Sequence, residues 1–120
     1  MFVKKCTVIP IEVVVRDYMT GSTKTSIWTH YKNGGRRYCG HPLRDGYVKN
    51  QQLDNTIITP TTKGEVDEPI TCFDIVERGL LTKEQWDYVE ETAMRLFKFG
   101  QRTASAQGLI LVDTKYEFGF

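Results

Sequence analysis

Three charged residues near the carboxyl end of the chain alternate in a way that suits a binding site. Asp113, Lys115 and Glu117 are separated by single residues and follow the apolar run LILV at 109–112. In an extended chain, residues two apart point to one face, so two carboxylates and an ammonium group would converge. Carboxylate oxygens suit Mg²⁺, and a lysine beside them suits a phosphate. A solvent-exposed strand face with an internal ion pair has the same pattern, and spacing alone leaves both interpretations open.

A second candidate site lies near the amino end of the chain. Arg16 follows three valines at 13–15, and the tripeptide TGS at 20–22 comes shortly after it. A guanidinium group at a strand end, together with the hydroxyl of Ser22, can hold a phosphate or a carboxylate. An ordinary surface arginine is the alternative interpretation.

The amino-terminal third of the chain predicts a strand, a turn and a short helix. Residues 6–15 are mostly β-branched or apolar, and Pro10 indicates an edge or a bulge within that strand. The tripeptide TGS predicts the turn, and Ser22 or Thr23 is expected to cap a short helix over 26–31.

The middle of the chain predicts little regular structure. Residues 36–69 are rich in Gly, Pro, Asn and Asp, and only 56–59 stands out as a brief strand. Loops of this length are unusual in compact domains and tend to serve a site. We therefore expect 36–69 to be mostly loop.

The carboxyl-terminal third predicts two helices. Thr71 and Asp74 suit the start of a helix that ends at Gly79, and TKEQ at 82–85 has the spacing of a capping box. Apolar residues then recur at helical spacing and predict a buried stripe: Trp86, Val89, Ala93, Leu96, Phe97 and Ala104. Gly108 occupies the position of a glycine that ends a helix.

Two strands are expected after the long helix. LILV at 109–112 predicts a buried strand, and the alternating aromatics Tyr116, Phe118 and Phe120 predict another. With the amino-terminal strand, these elements indicate an α+β fold in which an antiparallel sheet packs with helices. The aromatic last strand, and mid-strand residues as early as Phe2 and Val3, predict a domain that is incomplete at both ends.

Composition narrows the function classes. The 120 residues carry 16 Lys and Arg against 15 Asp and Glu, a net charge of +1, so nucleic acid is not an expected partner. The apolar runs are far shorter than the ~18 residues that span a bilayer, and no signal peptide is recognisable. Three widely spaced cysteines fit a reducing compartment. Cys39 and His41 supply at most half of a zinc site, and an ordinary loop cysteine is the favoured interpretation.

Two segments of the sequence resemble the signatures of a known family, SAICAR synthetase. VIPIEVVVR at 8–16 followed by TGS at 20–22 resembles its first signature, and LILVDTKYEFG at 109–119 resembles its second. The intervening TPTTK at 59–63 is similar to a form found in plants and various bacteria. The resemblance covers essentially the whole chain.

This resemblance implies an ATP-dependent ligase of purine biosynthesis. The family joins L-aspartate to the carboxylate of CAIR, an aminoimidazole ribonucleotide, with ATP and Mg²⁺. ATP phosphorylates the CAIR carboxylate, and the aspartate amine displaces the phosphate. The fold implied is distantly kinase-like, with residues 1–8 as the hinge and start of the large lobe and 9–120 as an incomplete large lobe. A homo-oligomer is compatible with it, as is a cytoplasmic location, or the plastid stroma in a plant or alga.

The resemblance also implies roles for individual residues. Asp113 and Lys115 correspond to catalytic groups around CAIR and the transferred phosphoryl group. Substrate-binding roles fall on Arg16 and Ser22, and with less specific correspondence on Lys63 and Asp67, because this chain has Val66 before Asp67 where the family often has histidine. A final set corresponds to ATP-binding positions, of which the last is also a magnesium ligand: Val3, Lys4, Val8 and Glu117.

Parts of the implied active site have no counterpart in this sequence. The glycine-rich loop over the ATP phosphates precedes the matched region in the family, and a second magnesium carboxylate and a phosphate-binding arginine follow it. Backbone amides of such a loop hold phosphate, so we expect this chain alone to be inactive. The alternative is a shortened, non-catalytic protein that binds CAIR-like nucleotides or pairs with a complete subunit.

Overall fold

The computed structural model describes all residues, 1–120, and contains five strands and three helices. In chain order these are β1 (Val8–Tyr18), α1 (Ile27–Lys32), β2 (Arg37–Tyr38), β3 (His41–Pro42), β4 (Gln52–Thr62), α2 (Cys72–Glu77), α3 (Lys83–Ala106) and β5 (Asp113–Gly119). No helix is both long enough and apolar enough to cross a membrane.

A three-stranded antiparallel sheet forms the centre of the fold. β1 lies between β4 and β5, and both pairings are antiparallel. The register of β1 against β5 shifts between Val8 and Glu12, which confirms the predicted irregularity near Pro10. Helices cover one face of this sheet, so the α+β class and the antiparallel sheet packed with helices are confirmed.

Helix α3 covers the core face of the sheet. It begins with the predicted capping box, in which Thr82 and Gln85 satisfy each other's backbone N–H groups. One stripe of this helix is buried against β1: Trp86, Val89, Ala93 and Phe97. Leu96 was predicted to share that stripe, but its side chain is 44% exposed. It lies about 100° around the helix from Phe97, which turns it away from the sheet.

Short elements near the end of β1 form a second, smaller core. Its buried members are Met19, Ile27, Tyr31, Tyr38, Leu43, Tyr47 and Leu53. The cap of α1 is Ser26, whose hydroxyl accepts the N–H of Thr29, so the prediction of Ser22 or Thr23 as the cap is wrong. Gly21 explains the difference: its φ is +116°, and a Cβ there would lie 2.4 Å from the Cβ of Ser26. The TGS turn therefore continues to Ser26 before the helix begins.

The prediction that residues 36–69 are mostly loop holds only in part, because the brief strand expected at 56–59 belongs to a much longer one. This segment contains the eleven-residue strand β4 as well as the β2–β3 hairpin. β4 includes polar residues and Pro60, which individually disfavour strands. Pairing along most of β1 overrides those local preferences. The sequence pattern of the segment did not predict the full length of this strand, because its partner lies about 45 residues away in the chain.

The prediction of a buried strand at 109–112 is also wrong. These residues adopt no strand, and β5 begins only at Asp113. Leu109 and Ile110 are 65% and 70% exposed, whereas Leu111 packs against the main core. The carbonyl of Val112 accepts the N–H of Asp17 in β1 at 3.1 Å. Apolar character indicates that a segment favours burial, but in this structure nothing covers the first two residues.

Candidate functional site

The face of the sheet opposite α3 carries half of the predicted site residues. Glu12 lies opposite Glu117 in the β1–β5 register, and Arg16 lies opposite Asp113. Because paired residues of adjacent strands point to the same face, these side chains and Lys115 share one surface, here called the charged face. The prediction that Asp113, Lys115 and Glu117 lie on one face is confirmed.

Four residues of the charged face form a chain of ion pairs. Lys63 Nζ lies 2.6 Å from Glu117 Oε1 and 4.0 Å from Glu12 Oε1. Lys115 Nζ lies 3.0 Å from Glu12 Oε2. Lys63 is brought in from the end of β4, where its backbone N–H bonds to the carbonyl of Pro10 at 3.2 Å. Two lysines and two carboxylates thus alternate in one electrically balanced cluster.

Glu12 is the central residue of this cluster and was not predicted as a site residue. Its side chain is only 12% exposed and contacts both lysines. In the sequence it is the single acid of the otherwise apolar run 8–15, at an outward position of the alternating pattern. A carboxylate that is largely buried against a sheet needs a cationic partner. That requirement was the signal that could have identified Glu12 as a site residue.

Arg16 lies beside the cluster and has no acidic partner. Its Nε donates to Thr59 Oγ1 at 2.7 Å, and its guanidinium carbon lies 5.8 Å from the centre of the Tyr38 ring. No carboxylate oxygen lies within 4 Å of its nitrogens, although Asp113 is its neighbour in the register. Its terminal nitrogens therefore remain free to bind an anion, as a planar guanidinium does through paired hydrogen bonds.

The ion pair between Lys63 and Glu117 shifts the pKa values of both groups. The hydrogen bond from Lys63 lowers the pKa of Glu117, and the same bond raises the pKa of Lys63. Both shifts favour the charged forms at neutral pH. Both groups remain in contact with water, so this pair contributes modestly to stability and can exchange partners when a ligand arrives.

We expect a carboxyl-detected NMR titration to give Glu117 a pKa below the ordinary 4.5. A lowered pKa in the folded state means that the pair stabilises the fold above that ordinary value and ceases to do so as the pH falls through the folded-state pKa. Lys63→Met should return the Glu117 pKa toward the ordinary value. Lys49→Met, a change at an exposed lysine outside the cluster, should leave it unchanged. An unshifted Glu117 in the native chain would contradict the ion pair.

The remaining predicted residues lie apart from the ion-pair cluster or at its margin. Asp67 is exposed in the loop after β4, where its charge contributes to the raised pKa of Lys63. Ser22 is exposed after β1 and forms no side-chain hydrogen bond. Val3 and Lys4 are exposed residues that precede β1, and Val8 opens it at 53% exposure. The structure therefore assembles one cluster from some of the predicted residues and does not bring these others into it.

Cys39 lies in the hairpin turn next to Arg16. Its thiol is directed at the carbonyl of Pro60, 3.6 Å away, and burial raises its pKa from 9.0 to about 11. His41 is also engaged, since its Nε2 lies 2.6 Å from the carbonyl oxygen of Ile58. No group of three or more His, Cys, Asp or Glu side chains in residues 1–120 is arranged to hold a metal ion.

Iodoacetamide is expected to modify Cys39 far more slowly than the exposed Cys6 and Cys72. Alkylation requires the thiolate, and raising a pKa by two units lowers the thiolate fraction at pH 8 roughly a hundredfold. Quantifying the three modified peptides by mass spectrometry in one sample provides the internal comparison. Equal modification rates for all three thiols would show that Cys39 is not buried as described.

The model of the family described as SAICAR synthetase matches residues 1–120. The chain is 56% identical over 117 residues to a protein of Vigna aconitifolia named phosphoribosylaminoimidazole-succinocarboxamide synthase, chloroplastic. That alignment covers 97% of this chain and 34% of the relative.

Solved structures resemble the fold over the same range. A SAICAR synthase from Saccharomyces cerevisiae, complexed with SAICAR, is 34% identical with a TM-score of 0.79, covering 97% of this chain and 36% of that one. A SAICAR synthetase in complex with ADP is 26% identical with a TM-score of 0.68, covering 96% of this chain and 42% of that one. This chain thus spans about a third of the length of the curated relatives that it matches.

Proposed function

This chain belongs to the SAICAR synthetase family, a family of ligases in purine biosynthesis, and from that premise we propose that it forms the substrate-binding sheet of such a ligase. The reaction proposed joins L-aspartate to the carboxylate of CAIR, with conversion of ATP to ADP and phosphate. The chain would supply part of the active site, and the rest of a full-length synthetase would supply the remainder. The proposed location is the cytoplasm, or the plastid stroma in a plant or alga, and self-association is compatible with it.

The single observation that carries this proposal is the charged face. Glu12, Lys63, Lys115 and Glu117 are linked by contacts of 4.0 Å or less on the side of the sheet that α3 leaves uncovered. If the cluster only stabilised the fold, an unpaired cation beside it would serve no purpose. Arg16 is such a cation, and it lies opposite Asp113 in the register without forming an ion pair with it. A surface with balanced fixed charges and one free guanidinium group is suited to an anionic substrate.

The chemistry proposed for the charged face is phosphoryl transfer followed by attack of an amine. A carboxylate oxygen of CAIR takes the terminal phosphoryl group of ATP, and ADP leaves. The aspartate nitrogen then bonds to the acyl carbon, phosphate leaves with the oxygen–carbon bond electrons, and the nitrogen loses a proton. Such steps need positioned charges more than covalent help from the protein. The ammonium groups of Lys115 and Lys63 would stabilise the negative charge on the transferred phosphoryl group.

Substrate contacts are proposed for the residues around the cluster. Arg16 would hold an anionic group of CAIR, and Ser22 would approach it from the turn after β1. Asp113 and Asp67 are carboxylates without an ion-pair partner, so either can accept hydrogen bonds from the amino groups of the substrates. Lys63 would serve as a substrate ligand once Glu117 releases it.

The residues present fit one end of an ATP–magnesium site. Glu117 and Glu12 face each other in the register, and carboxylate oxygens are the ligands that Mg²⁺ prefers. Glu117 and Glu12 would hold the metal ion, and Lys63 and Lys115, which now pair with them, would be available to phosphate oxygens. When bound, Mg²⁺ would neutralise phosphate charge. For the base of ATP we propose the exposed segment before β1 and its first residue, that is, Val3, Lys4 and Val8.

Calorimetric titration of CAIR and of MgATP into the purified 120-residue chain tests this proposal. Micromolar to millimolar CAIR binding without SAICAR formation would support a substrate-binding part of the ligase. Adding the flanking sequence of the native gene should then restore ligase activity. Absence of CAIR binding both to the chain and to its extended form would overturn the proposal.

A second candidate function is a shortened protein that binds CAIR-like nucleotides, or pairs with a complete subunit, without catalysis. The observation that favours it is coverage of only about a third of the relatives' length. The mass of the native protein in its source, located by a peptide spanning 109–115, separates the two. A product of about 13.8 kDa supports the second function, and a much larger one supports the ligase.

A further inference from the structure

Arg16 is held in the charged face by a neutral group. Its Nε hydrogen bond to Thr59 Oγ1 is 2.7 Å long and spans 43 residues of sequence. The ring of Tyr38 flanks the guanidinium group at 5.8 Å. Because no carboxylate pairs with Arg16, this hydroxyl is the only side-chain oxygen that fixes the orientation of the guanidinium plane.

Thr59 has no other evident use for its hydroxyl. The residue is completely buried in β4, and its Oγ1 forms no side-chain hydrogen bond except the one from Arg16. A buried hydroxyl without a partner is costly, and an apolar residue of the same shape, such as valine, would serve packing alone. The presence of a hydroxyl at position 59 is therefore explained by its hydrogen bond to Arg16 and not by packing in the core.

The register of β4 determines that Thr59 reaches Arg16. Thr59 lies opposite Val14, which makes it the diagonal neighbour of Arg16 across the sheet. Beyond Arg16 the register shifts, so that Asp17 alone faces residues 53–56. The buried Asp17 carboxylate bonds both ends of that irregularity, accepting from Thr56 Oγ1 at 2.8 Å and from Gln52 Nε2 at 2.9 Å. Gln101 of α3 donates to it as well, at 3.1 Å.

This arrangement is a built device rather than a chance contact. A shift of β4 by one residue would turn Thr59 to the other face of the sheet and remove the bond to Arg16. The Asp17 carboxylate, which joins β1, β4 and α3, closes the irregularity and opposes such a shift. Irregularities of this kind in strands often aim a side chain at a neighbouring site.

We propose that Thr59 is a positioning residue, which orients the Arg16 guanidinium group so that its two terminal nitrogens face the anionic group of the substrate. The proposal rests on the proposed function, in which Arg16 binds CAIR. Thr59 acts through Arg16 and does not itself touch the substrate. Thr59 preorganises the Arg16 side chain in its binding geometry, so that less conformational entropy is lost when the ligand binds.

Two substitutions of Thr59 separate positioning from packing. Thr59→Val keeps the shape and removes the hydroxyl, whereas Thr59→Ser keeps the hydroxyl and removes a buried methyl group. If Thr59 only packs, serine is the more harmful change, because it leaves a small cavity. If Thr59 positions Arg16, valine is the more harmful change. Thr92→Val, at a helix threonine without a side-chain hydrogen bond, is the matched control.

The first readout needs no ligand. Exchange of the Arg16 Nε hydrogen with water, followed by NMR on the 120-residue chain, should be slower than that of the exposed Arg95, which has no hydrogen-bond partner. Thr59→Val should accelerate it roughly tenfold or more, since a hydrogen bond to a charged group is lost, and Thr59→Ser should leave it within about twofold. An Arg16 hydrogen as fast as that of Arg95 in the native chain would overturn the proposal.

The second readout is the affinity for CAIR. Thr59→Val should weaken binding roughly tenfold, while Thr59→Ser and Thr92→Val should bind within about twofold of the native chain. Serine weaker than valine would overturn the proposal in favour of packing. Failure of the native chain to bind CAIR, with Arg16 exchange still dependent on the Thr59 hydroxyl, would count against the proposed function and leave the positioning contact established.

Discussion

Replacing Arg16 with alanine is expected to weaken the binding of CAIR by at least about a hundredfold. Among the cations of the charged face, Arg16 alone has no carboxylate partner, so its charge is available to a ligand without breaking an ion pair. Two hydrogen bonds from a guanidinium group to an anion contribute about 1.5–3 kcal/mol each, and 1.4 kcal/mol corresponds to a tenfold change in affinity. Calorimetric titration of CAIR into each variant measures the effect.

Arg95→Ala is the control for the loss of one positive charge. Arg95 is an exposed residue of α3, on the opposite side of the sheet from the charged face, and alanine suits a helix. Alanine at position 16 would also leave the Thr59 hydroxyl buried without a partner, so the double variant Arg16→Ala, Thr59→Val separates lost binding from lost stability. Equal weakening by Arg95→Ala would mean that CAIR senses only net charge and that Arg16 has no specific role.

The parts of the fold that the sequence predicted well are those specified by nearby residues. The capping box at Thr82 and the glycines that end α2 and α3 involve contacts within one or two helical turns. Thr71 caps α2 for the same reason, by accepting the N–H of Asp74. Each of these signals depends only on local geometry, so that a single sequence contains all the information needed.

The parts that were wrong depend on distant partners. β4 exists because it pairs with β1, and the exposure of Leu109 and Ile110 depends on which elements lie above them. Neither fact follows from the composition of the segment itself. Apolar runs and loop-like composition report what a segment favours, and tertiary contacts decide what it becomes.

The residues of the candidate site also differ in whether local sequence or distant partners determine their role. Alternation on one strand placed Asp113, Lys115 and Glu117 on one face without any knowledge of the neighbours. Glu12 and Thr59 were missed because their importance arises from what lies opposite them in the sheet: two lysines for Glu12, and a guanidinium group for Thr59. A single acid in the apolar run 8–15 was visible, but its partners were not.

The second large effect concerns the core beneath the charged face. Phe97 is completely buried and belongs to the same apolar cluster as Val13 and Val15, on the underside of the strand that carries Glu12 and Arg16. Replacing it with alanine is expected to lower the free energy of unfolding by about 3–5 kcal/mol, because apolar contacts are lost and a cavity remains. Domains of this size have roughly 5–15 kcal/mol of stability, so this change removes a large share of it.

Phe99→Ala provides a control in the same helix, two residues away. Phe99 is 62% exposed, so its loss should change the unfolding free energy by less than about 1 kcal/mol. Urea unfolding followed by circular dichroism should give a midpoint at least about 1 M lower for Phe97→Ala than for the native chain, given slopes of about 1–3 kcal/mol per M. Similar midpoints for the two variants would mean that α3 does not pack on β1 through Phe97. The sheet would then lack the support that holds its charged face in one geometry, and Arg16 would have no fixed position from which to bind an anion.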